Sequence, residues 1–277
     1  MPCRDGRRAP KSPTGVGPSQ AVTQNTGVLR VAGSLVFWTF LVATSVICFP
    51  IAVVIWAATA PFDRRLVALH GFTCFWGSLY TWLNPAWPVT VDGRELIQPG
   101  RRYVMVANHQ SLLDILVLFR LFAHFKWVSK IENFRIPFIG WNMSLNRYIR
   151  LKRGDRVSVG QMMETCRRTL DANSSIMMFP EGTRSVNGRL RGFKPGAFEL
   201  AKRTETPILP IVLTGTSDAL PKRGFVLQGR HRIRIHILPE IPAIEFADTS
   251  IEDLTLQVRE RIAGELGESG EATRLTA

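Results

Sequence analysis

The chain has 277 residues, 45% of them hydrophobic, and a formal net charge of +13 at pH 7. This length accommodates one sizeable domain with an appended segment. The basic excess is uneven, since residues 101–236 carry 24 lysines and arginines against 9 aspartates and glutamates, whereas residues 237–277 carry 3 against 9. The resulting positive field attracts anions such as nucleic acid, an anionic bilayer, a phosphorylated substrate or an acidic carrier protein.

The cysteines exclude two common kinds of framework. They lie far apart, with no CxxC or Cys/His spacing: Cys3, Cys48, Cys74 and Cys166. We therefore expect neither a disulfide framework nor a zinc site, and no bound metal.

The N-terminal region predicts membrane association. Residues 1–28 mix Arg, Pro, Gly, Ser and Thr without apolar periodicity, which is typical of a disordered basic tail. Residues 31–60 contain no charged side chain. As one helix these thirty residues would be about 45 Å long, against a hydrocarbon core of about 30 Å. Pro50 is expected to kink this helix or to end its first half.

A second uncharged run covers residues 66–83 and contains several aromatic residues, which prefer the membrane interface. Both flanks of the two runs are basic, so a hairpin that leaves both flanks in the cytoplasm satisfies the positive-inside rule. We therefore expect a membrane-embedded or interfacial helical hairpin over residues 29–86. The domain that follows should face the cytoplasm, at the inner membrane if the chain is bacterial. A buried helical pair in a soluble core is the alternative.

The rest of the sequence predicts an α/β domain over residues 87–246. Short β-rich runs alternate with helical stretches, which implies a mixed, largely buried sheet flanked by helices. The candidate strands are PVTVDG, RYVMVAN, FKWVSK, RYIRLK, SSIMMFP, PILPIVLTG and RIRIHIL. Helical stretches are expected at residues 112–122, 157–170, 196–203 and 251–266. The last of these belongs to a C-terminal region, residues 247–277, that should consist of a helix and an acidic tail.

A histidine and an aspartate follow the strand RYVMVAN, in the stretch ANHQSLLD. His109 precedes Asp114 by five residues, and on a continuous helix this spacing would turn the two side chains about 140° apart. His109 should therefore lie on a turn before the helix begins. Ser111 and Asp114 match a capping box, which predicts the start of that helix.

A second turn, FPEGTRS, directly follows the strand SSIMM. Sites in α/β sheets collect beyond the carboxyl ends of strands, so this turn and the His109 turn should form one pocket. Gly182 lets the backbone approach a ligand closely, and Arg184 suits a pair of anionic oxygens. Thr183 lies between them on the same turn, and we expect Glu181, Gly182, Thr183 and Arg184 to contribute to substrate binding. We expect Glu181 to orient the turn rather than to ionise in catalysis.

Two more cations lie near predicted strand ends. They are Arg153 in IRLKRGD and Lys194 in GFKPGA. The pair Pro195-Gly196 could open a helix, whose free amides would also favour phosphate. For each cation taken alone, a solvated surface charge is the alternative.

Four blocks carry a family resemblance, and they occur in the order NHQSLLD, RYIRLKRGD, FPEGTRS and ILPIVLTG. The chain resembles membrane-bound glycerolipid acyltransferases and is most similar to 1-acylglycerol-3-phosphate O-acyltransferases. The resemblance implies transfer of an acyl chain from an acyl-CoA or acyl-carrier-protein thioester to lysophosphatidic acid, giving phosphatidic acid. It also implies a catalytic pair, His109 and Asp114, and phosphate binding by Arg153, Arg184 and Lys194.

The chemistry of the residues agrees with this reaction. An alcohol must lose its proton as it attacks a thioester carbonyl, and an imidazole, with an unperturbed pKa of about 6.5, suits that task. A carboxylate on the other ring nitrogen fixes the tautomer and stabilises the imidazolium. The acyl group passes directly to the lipid, so we expect no covalent enzyme intermediate and no cofactor besides the thioester co-substrate. Backbone amides around Glu181 and Gly182 are candidate oxyanion donors.

Three other functions are compatible with parts of this pattern. The acceptor could be another lysolipid, because the motifs recognise the reaction and only partly the acceptor. The chain could also be a non-catalytic anionic-lipid-binding protein or a nucleic-acid-binding protein. The uncharged N-terminal runs and the few aromatic residues within the basic stretches argue against nucleic acid. The expected partners are lysophosphatidic acid, the thioester donor and the bilayer.

Overall fold

The computed structural model of the chain describes residues 19–186, 188–222 and 224–267, with side chains from residue 27 onward. The helices in this part of the chain are α1 (Ser19–Thr59), α2 (Val67–Trp82), α3 (Leu113–Leu118), α4 (Ile139–Leu145), α5 (Arg156–Asp171), α6 (Gly196–Arg203), α7 (Thr216–Ala219) and α8 (Ile251–Glu265). The strands are β1 (Val89–Asp92), β2 (Val104–Ala107), β3 (Phe125–Lys130), β4 (Ile149–Leu151), β5 (Ser175–Met178), β6 (Ile208–Thr214) and β7 (Ile233–Ile237).

These strands form one sheet in the order β1-β7-β6-β2-β5-β3-β4. Neighbouring strands run parallel except β6 and β7, which pair antiparallel. The predicted mixed sheet is therefore confirmed, and each of the seven candidate segments contains a strand. The four strands β2, β5, β3 and β4 are adjacent and parallel, so their carboxyl ends lie along one edge.

The sheet separates two apolar layers. Along β2, Met105 and Ala107 pack with α2 and α3 on one face, whereas Val104 and Val106 pack with α5, α6 and α8 on the other. This alternation follows from the two-residue period of a strand. Because both faces are covered, β2 is apolar at every position rather than at every second one. The predicted largely buried sheet is confirmed.

The first helix differs from its prediction in two respects. α1 is a continuous helix of 41 residues with Pro50 inside it, so the helix does not end at the proline. Pro50 has no amide hydrogen, so the helix lacks one backbone hydrogen bond at this position. Cys48 and Ala52, on either side of Pro50, are buried, and their packing keeps the helix continuous. The tail predicted for residues 1–28 reaches into α1, and residues 1–18 lie outside the described residues.

One side of α1 contacts the domain and the rest is exposed. The segment Gly27–Thr59 is long and apolar enough to cross a membrane, and 17% of its most apolar window is buried. Leu35 and Val36, for example, are 64% and 70% exposed. The buried residues recur at helical spacing, forming one narrow stripe: Ser34, Phe37, Ser45, Cys48 and Ala52. Many other large apolar residues along α1 are exposed together rather than singly, which indicates contact with lipid or a partner.

The second helix belongs to the α/β domain. α2 has 16 residues and is about 24 Å long, shorter than a hydrocarbon core. Its His70 is buried, and the ring nitrogens bond to the Tyr148 hydroxyl at 2.8 Å and the Ala123 carbonyl at 3.0 Å. In the preceding turn, Arg65 donates to the Asn173 carbonyl at 2.9 Å. The structure therefore does not confirm a second membrane segment, because α2 packs into the domain core.

The remaining helices agree with the prediction apart from their ends and two additions. α5, α6 and α8 lie within two residues of the predicted ranges. α3 ends at Leu118 and continues as a 3-10 turn over Phe119–Leu121, so the predicted single helix is divided. α4 and α7, with seven and four residues, were not predicted because such short helices show no apolar periodicity.

The close contact between α2 and the end of α3 predicts the effect of two glycine substitutions. A Cβ at Gly77 would lie 2.4 Å from a ring carbon of Phe119, whereas a Cβ at Gly71 meets nothing within 4 Å. Gly77→Ala should cost about 1–3 kcal/mol through overpacking. Gly71→Ala should stabilise the helix by about 1 kcal/mol. Thermal unfolding in detergent measures both, and equal effects would contradict the packing of α2 in the core.

Candidate active site

Four chemically active side chains lie at the carboxyl edge of the sheet. His109 follows β2, Glu181 follows β5, Lys130 ends β3 and Arg153 follows β4. Since these four strands are neighbours and parallel, their ends bring the side chains to one edge. The predicted meeting of the two turns is seen in the contacts between them. The Ser185 amide donates to the His109 carbonyl at 2.8 Å.

His109 and Asp114 form a hydrogen-bonded pair. The distance from His109 Nδ1 to Asp114 Oδ2 is 2.8 Å, with the imidazole 12% exposed and the carboxylate fully buried. An ionised carboxylate only accepts hydrogen bonds, so the proton of the neutral imidazole belongs on Nδ1. The lone pair of Nε2 is then free, and His109 lines the adjoining cavity. This is the geometry of a general base held by a carboxylate.

Asp114 also organises the start of α3. Its Oδ2 atom accepts from the backbone amides of Gln110 at 2.7 Å and Ser111 at 2.8 Å. The bond from the Ser111 amide is one half of the predicted capping box. The other half differs, because Ser111 Oγ accepts weakly from the Leu113 amide at 3.2 Å and donates to the Leu220 carbonyl at 2.6 Å. Asp114 therefore caps the turn and orients His109 with the same oxygen.

Glu181 braces the backbone of the turn that carries His109. Its Oε1 atom accepts from the His109 amide at 2.6 Å, and Oε2 accepts from the Arg191 amide at 3.1 Å. The side chain is 4% exposed. Burial raises the pKa of Glu181 to about 7, although the two amides oppose this effect. The expectation that Glu181 orients its turn agrees with these bonds.

An aromatic ring holds the plane of the imidazole. Phe179 stacks on His109 with ring centroids 3.9 Å apart and an angle of 10° between the planes. Trp127 stacks in turn on Phe179 at 5.4 Å. Together with the Asp114 bond, this contact fixes both the direction and the tilt of the ring. Phe179 was not predicted from the sequence, although an aromatic residue at the end of a strand beside the site was the available signal.

The pair opens onto a cavity of about 730 Å³. Its wall is largely apolar and includes Leu41, Trp76, Leu116, Phe119, Ile139 and Met143. Three cations also line it, namely Lys130, Arg153 and Lys194. An apolar cavity with a few cationic groups in its wall suits an amphipathic ligand with an anionic head.

The FPEGTRS turn brings Lys194 to the cavity. Gly182 has φ of 69°, and a Cβ there would approach Lys194 Cε to 2.9 Å, so the lysine side chain lies directly over the glycine. The Lys194 amide donates to the Pro180 carbonyl at 2.9 Å, which fixes the chain at this point. The Gly182 amide donates to the Phe179 carbonyl at 3.0 Å, so this candidate oxyanion donor is used by the turn.

Some predicted residues do not reach the cavity. Arg184 and Thr183 are half-buried, Glu181 is buried, and none of these three predicted substrate-binding residues lines the cavity. The Arg184 carbonyl accepts from Lys222 Nζ at 2.6 Å. In contrast, Lys130 lines the cavity but was not predicted. The rule that sites collect at strand ends would have found Lys130, because it is the last residue of β3.

Comparisons with known proteins agree with this geometry. A family model described as Acyltransferase matches residues 88–214. A 1-acyl-sn-glycerol-3-phosphate acyltransferase of Chlamydomonas reinhardtii is 38% identical over 203 residues, covering 72% of this chain and 60% of the relative. The chloroplastic LPAT1 of Arabidopsis thaliana is 37% identical, covering 72% and 54%. A protein of Limnanthes alba with the same family name is 32% identical, covering 72% and 70%.

The chain belongs to the 1-acyl-sn-glycerol-3-phosphate acyltransferase family. It spans 60% and 54% of the length of the first two of these relatives. A crystal structure of the 1-acyl-sn-glycerophosphate acyltransferase PlsC from Thermotoga maritima has a TM-score of 0.70 to this chain at 22% identity. The likeness covers 86% of this chain and 97% of that one, and it establishes a common fold.

The buried Glu181 gives this family member a pH-dependent contribution to stability. Its pKa is raised to about 7 in the folded protein, above the ordinary value of 4.5. Between these two values the unfolded chain releases the proton while the folded chain keeps it, so the contribution of Glu181 to stability falls as pH rises. The difference in Tm, wild type minus Glu181→Gln, should decrease by a few degrees from pH 5 to pH 7.5. A constant difference would contradict the raised pKa.

Proposed function

We propose that this protein transfers a fatty acyl group from an acyl-CoA or acyl-carrier-protein thioester to the sn-2 hydroxyl of lysophosphatidic acid, giving phosphatidic acid. The observation that carries the proposal is the His109–Asp114 pair, 2.8 Å apart, at an apolar cavity lined by three cations. The names of the relatives support the acceptor, since they are 1-acyl-sn-glycerol-3-phosphate acyltransferases.

The reaction needs a base that accepts a proton from the hydroxyl and later returns it to the thiolate, and His109 performs both steps. His109 Nε2 removes the proton of the sn-2 hydroxyl as its oxygen attacks the thioester carbonyl carbon. Asp114 stabilises the imidazolium that forms. The tetrahedral intermediate then collapses, the carbon–sulfur bond breaks, and the imidazolium returns the proton to the departing thiolate. The products are the sn-2 ester and a free thiol, and His109 is again neutral.

The cavity provides separate surroundings for the two parts of a lipid substrate. Its apolar wall suits an acyl chain, because burial contributes about 25 cal/mol for each Å² of apolar surface removed from water. Lys130, Arg153 and Lys194 suit the phosphate of the acceptor. Lys130 pairs with Glu132 at 3.3 Å, whereas no carboxylate among the described residues forms an ion pair with Arg153 or Lys194. The charges of Arg153 and Lys194 are therefore available to a ligand.

Membrane contact delivers the acceptor to this cavity in the proposed function. Trp38 and Leu41 of α1 line the cavity, so the exposed apolar helix adjoins the site directly. α1 also contacts α2, where Thr44 Oγ1 and the Tyr80 hydroxyl are 2.8 Å apart. We place α1 in the bilayer, the exposed side of α2 at its surface, and the α/β domain in the cytoplasm.

The direct test supplies the purified protein with lysophosphatidic acid and one thioester at a time, acyl-CoA or acyl-carrier protein. Mass spectrometry of the lipids should detect phosphatidic acid with at least one donor. Parallel reactions with other lysophospholipids and a lyso-aminolipid test the acceptor. Turnover of one of these, with none of lysophosphatidic acid, would overturn the proposed acceptor. Absence of turnover with every pair would overturn acyl transfer.

Changing the catalytic pair should abolish turnover while the fold survives. Asp114→Asn should lower kcat by about 10³ to 10⁴, because an amide cannot stabilise the imidazolium and favours the wrong tautomer. His109→Ala should lose a comparable factor, and the double variant should be little worse than either. Asp171→Asn, at a half-exposed carboxylate on α5, is the control and should keep normal kcat. Folded Asp114→Asn with near-normal turnover would leave Asp114 only a capping role.

Arg153 and Arg184 were both predicted to bind phosphate, but only Arg153 lines the cavity. Arg153→Ala should raise the KM for lysophosphatidic acid by about tenfold or more, since a hydrogen bond to a charged group contributes about 1.5–3 kcal/mol. Arg184→Ala should change this KM much less, because Arg184 does not line the cavity. Steady-state kinetics with the thioester donor saturating measures both. A larger effect at Arg184 than at Arg153 would contradict the proposed phosphate site.

A further inference from the structure

The end of α2 presents a group of exposed aromatic rings. Phe75, Trp82 and Phe122 are 44%, 45% and 41% exposed. The ring centroids of Phe75 and Trp82 are 6.0 Å apart, and those of Trp82 and Phe122 are 5.8 Å apart with nearly parallel planes. Large rings of this kind are costly to leave in water, and Trp in particular prefers the boundary between headgroups and acyl chains.

Two arginines lie on the same rings. The guanidinium carbon of Arg120 is 5.3 Å from the Trp82 ring centroid, and that of Arg94 is 6.0 Å from the Phe122 ring centroid. Arg120 also donates to Thr81 Oγ1 at 3.3 Å. These contacts hold the two charges beside each other at the surface, over rings that attract cations.

Neither arginine has an acidic partner. In the part of the chain that the structure describes, no carboxylate forms an ion pair with Arg94 or Arg120, and the nearby Asp92 is engaged by Arg234. Burial lowers the pKa of Arg120, and the charge of Arg94 lowers it further. Two uncompensated guanidinium groups that repel each other gain most from an anion placed between them.

The exposed aromatic rings around Arg94 and Arg120 indicate which kind of anion the two arginines would bind. A soluble anion would gain nothing from the exposed rings, whereas a phospholipid brings a phosphate for the arginines and an acyl boundary for the aromatic residues. Phe75 and Trp82 lie on α2, which packs beside α1, and Phe122 follows the 3-10 turn after α3. α1 is apolar and long enough to cross a membrane. None of the five residues lines the catalytic cavity, so the surface is separate from the proposed acceptor site.

We propose that Phe75, Trp82, Phe122, Arg94 and Arg120 form an aromatic–arginine patch that binds the phosphate headgroups of anionic bilayer phospholipids. The patch makes membrane binding depend on anionic lipid, in addition to the apolar contribution of α1. It acts on binding to the bilayer and not on the chemical step. The patch therefore requires only that the protein contacts a membrane, and it can be tested whether or not the protein transfers acyl groups.

The test measures flotation of the intact protein with vesicles of phosphatidylcholine alone and of phosphatidylcholine with one third phosphatidylglycerol. The wild type should bind the anionic vesicles more tightly, and high salt should remove the difference because it screens the charges. Arg94→Gln should lose about fivefold of the anionic enhancement, and Arg94→Gln with Arg120→Gln about 25-fold. Binding to neutral vesicles should not change in either variant.

The matched control is Arg203→Gln with Arg261→Gln, which removes the same charge from exposed positions on α6 and α8. This variant should keep the enhancement. An equal loss in both double variants would show that total charge matters and would overturn the patch, as would a wild type with no preference for anionic vesicles. Since Arg94 is exposed and forms no ion pair among the described residues, its single variant tests the patch even if the double variant unfolds.

Turnover on lysophosphatidic acid in detergent micelles separates this proposal from the proposed function. Both patch variants should keep the wild-type kcat there, because no bilayer surface is present. A loss of kcat in micelles would place the arginines in the reaction and overturn the patch as a separate lipid site. Vesicle binding requires no turnover, so it tests the patch even if acyl transfer is absent.

Discussion

The fully buried Oδ2 atom of Asp114 is the contact on which the site depends. It accepts three N–H groups, from the His109 ring and from the amides of Gln110 and Ser111. A buried carboxylate is costly unless such bonds replace its water, so the turn that supplies them is strongly favoured. The atom that begins α3 therefore also sets the tautomer of His109. The cap at the start of α3 and the fixed tautomer of His109 are two consequences of one set of hydrogen bonds.

A second buried carboxylate joins the two turns of the site. Glu181 accepts from the backbone of His109 on one side and of Arg191 on the other, while Phe179 lies flat on the imidazole. The segment after β5 thus holds His109 in two ways. Glu181 binds the His109 backbone amide, and Phe179 packs on the His109 ring. Catalytic groups need to be held to within about 0.5 Å, and rigid neighbouring strands with braced turns meet that demand. Three cations, Lys130, Arg153 and Lys194, line the same cavity.

The two N-terminal helices, similar in composition, have different physical roles. α1 buries one narrow stripe and leaves its other apolar residues exposed, whereas α2 buries polar His70 and Thr73 within the domain. Hydropathy measures only the tendency of a segment to leave water. An apolar helix can therefore be buried either in a bilayer or in a protein core. The extent of the exposed apolar surface distinguishes the two helices, and in α2 the buried polar side chains have partners within the domain. His70 and Thr73 find theirs in Tyr148 and in the amides of Asn142 and Asn146.

Local patterns were sufficient for the seven strands, for the mixed α/β sheet implied by their alternation with helices, and for the turn that carries His109, because these features depend on residue period and spacing. The pairing of His109 with Asp114 was implied by the family resemblance, and the structure places the two side chains 2.8 Å apart. The burial of α2, the brace from Glu181, the Phe179 stack and the position of Lys130 in the cavity depend on contacts between distant segments. The same holds for the two arginines of the FPEGTRS and RYIRLKRGD blocks, since Arg153 lines the cavity and Arg184 does not. Arg153 and Arg184 carry the same charge and both lie in family motifs, so the sequence does not tell them apart. The order of strands in the sheet determines which of the two reaches the cavity.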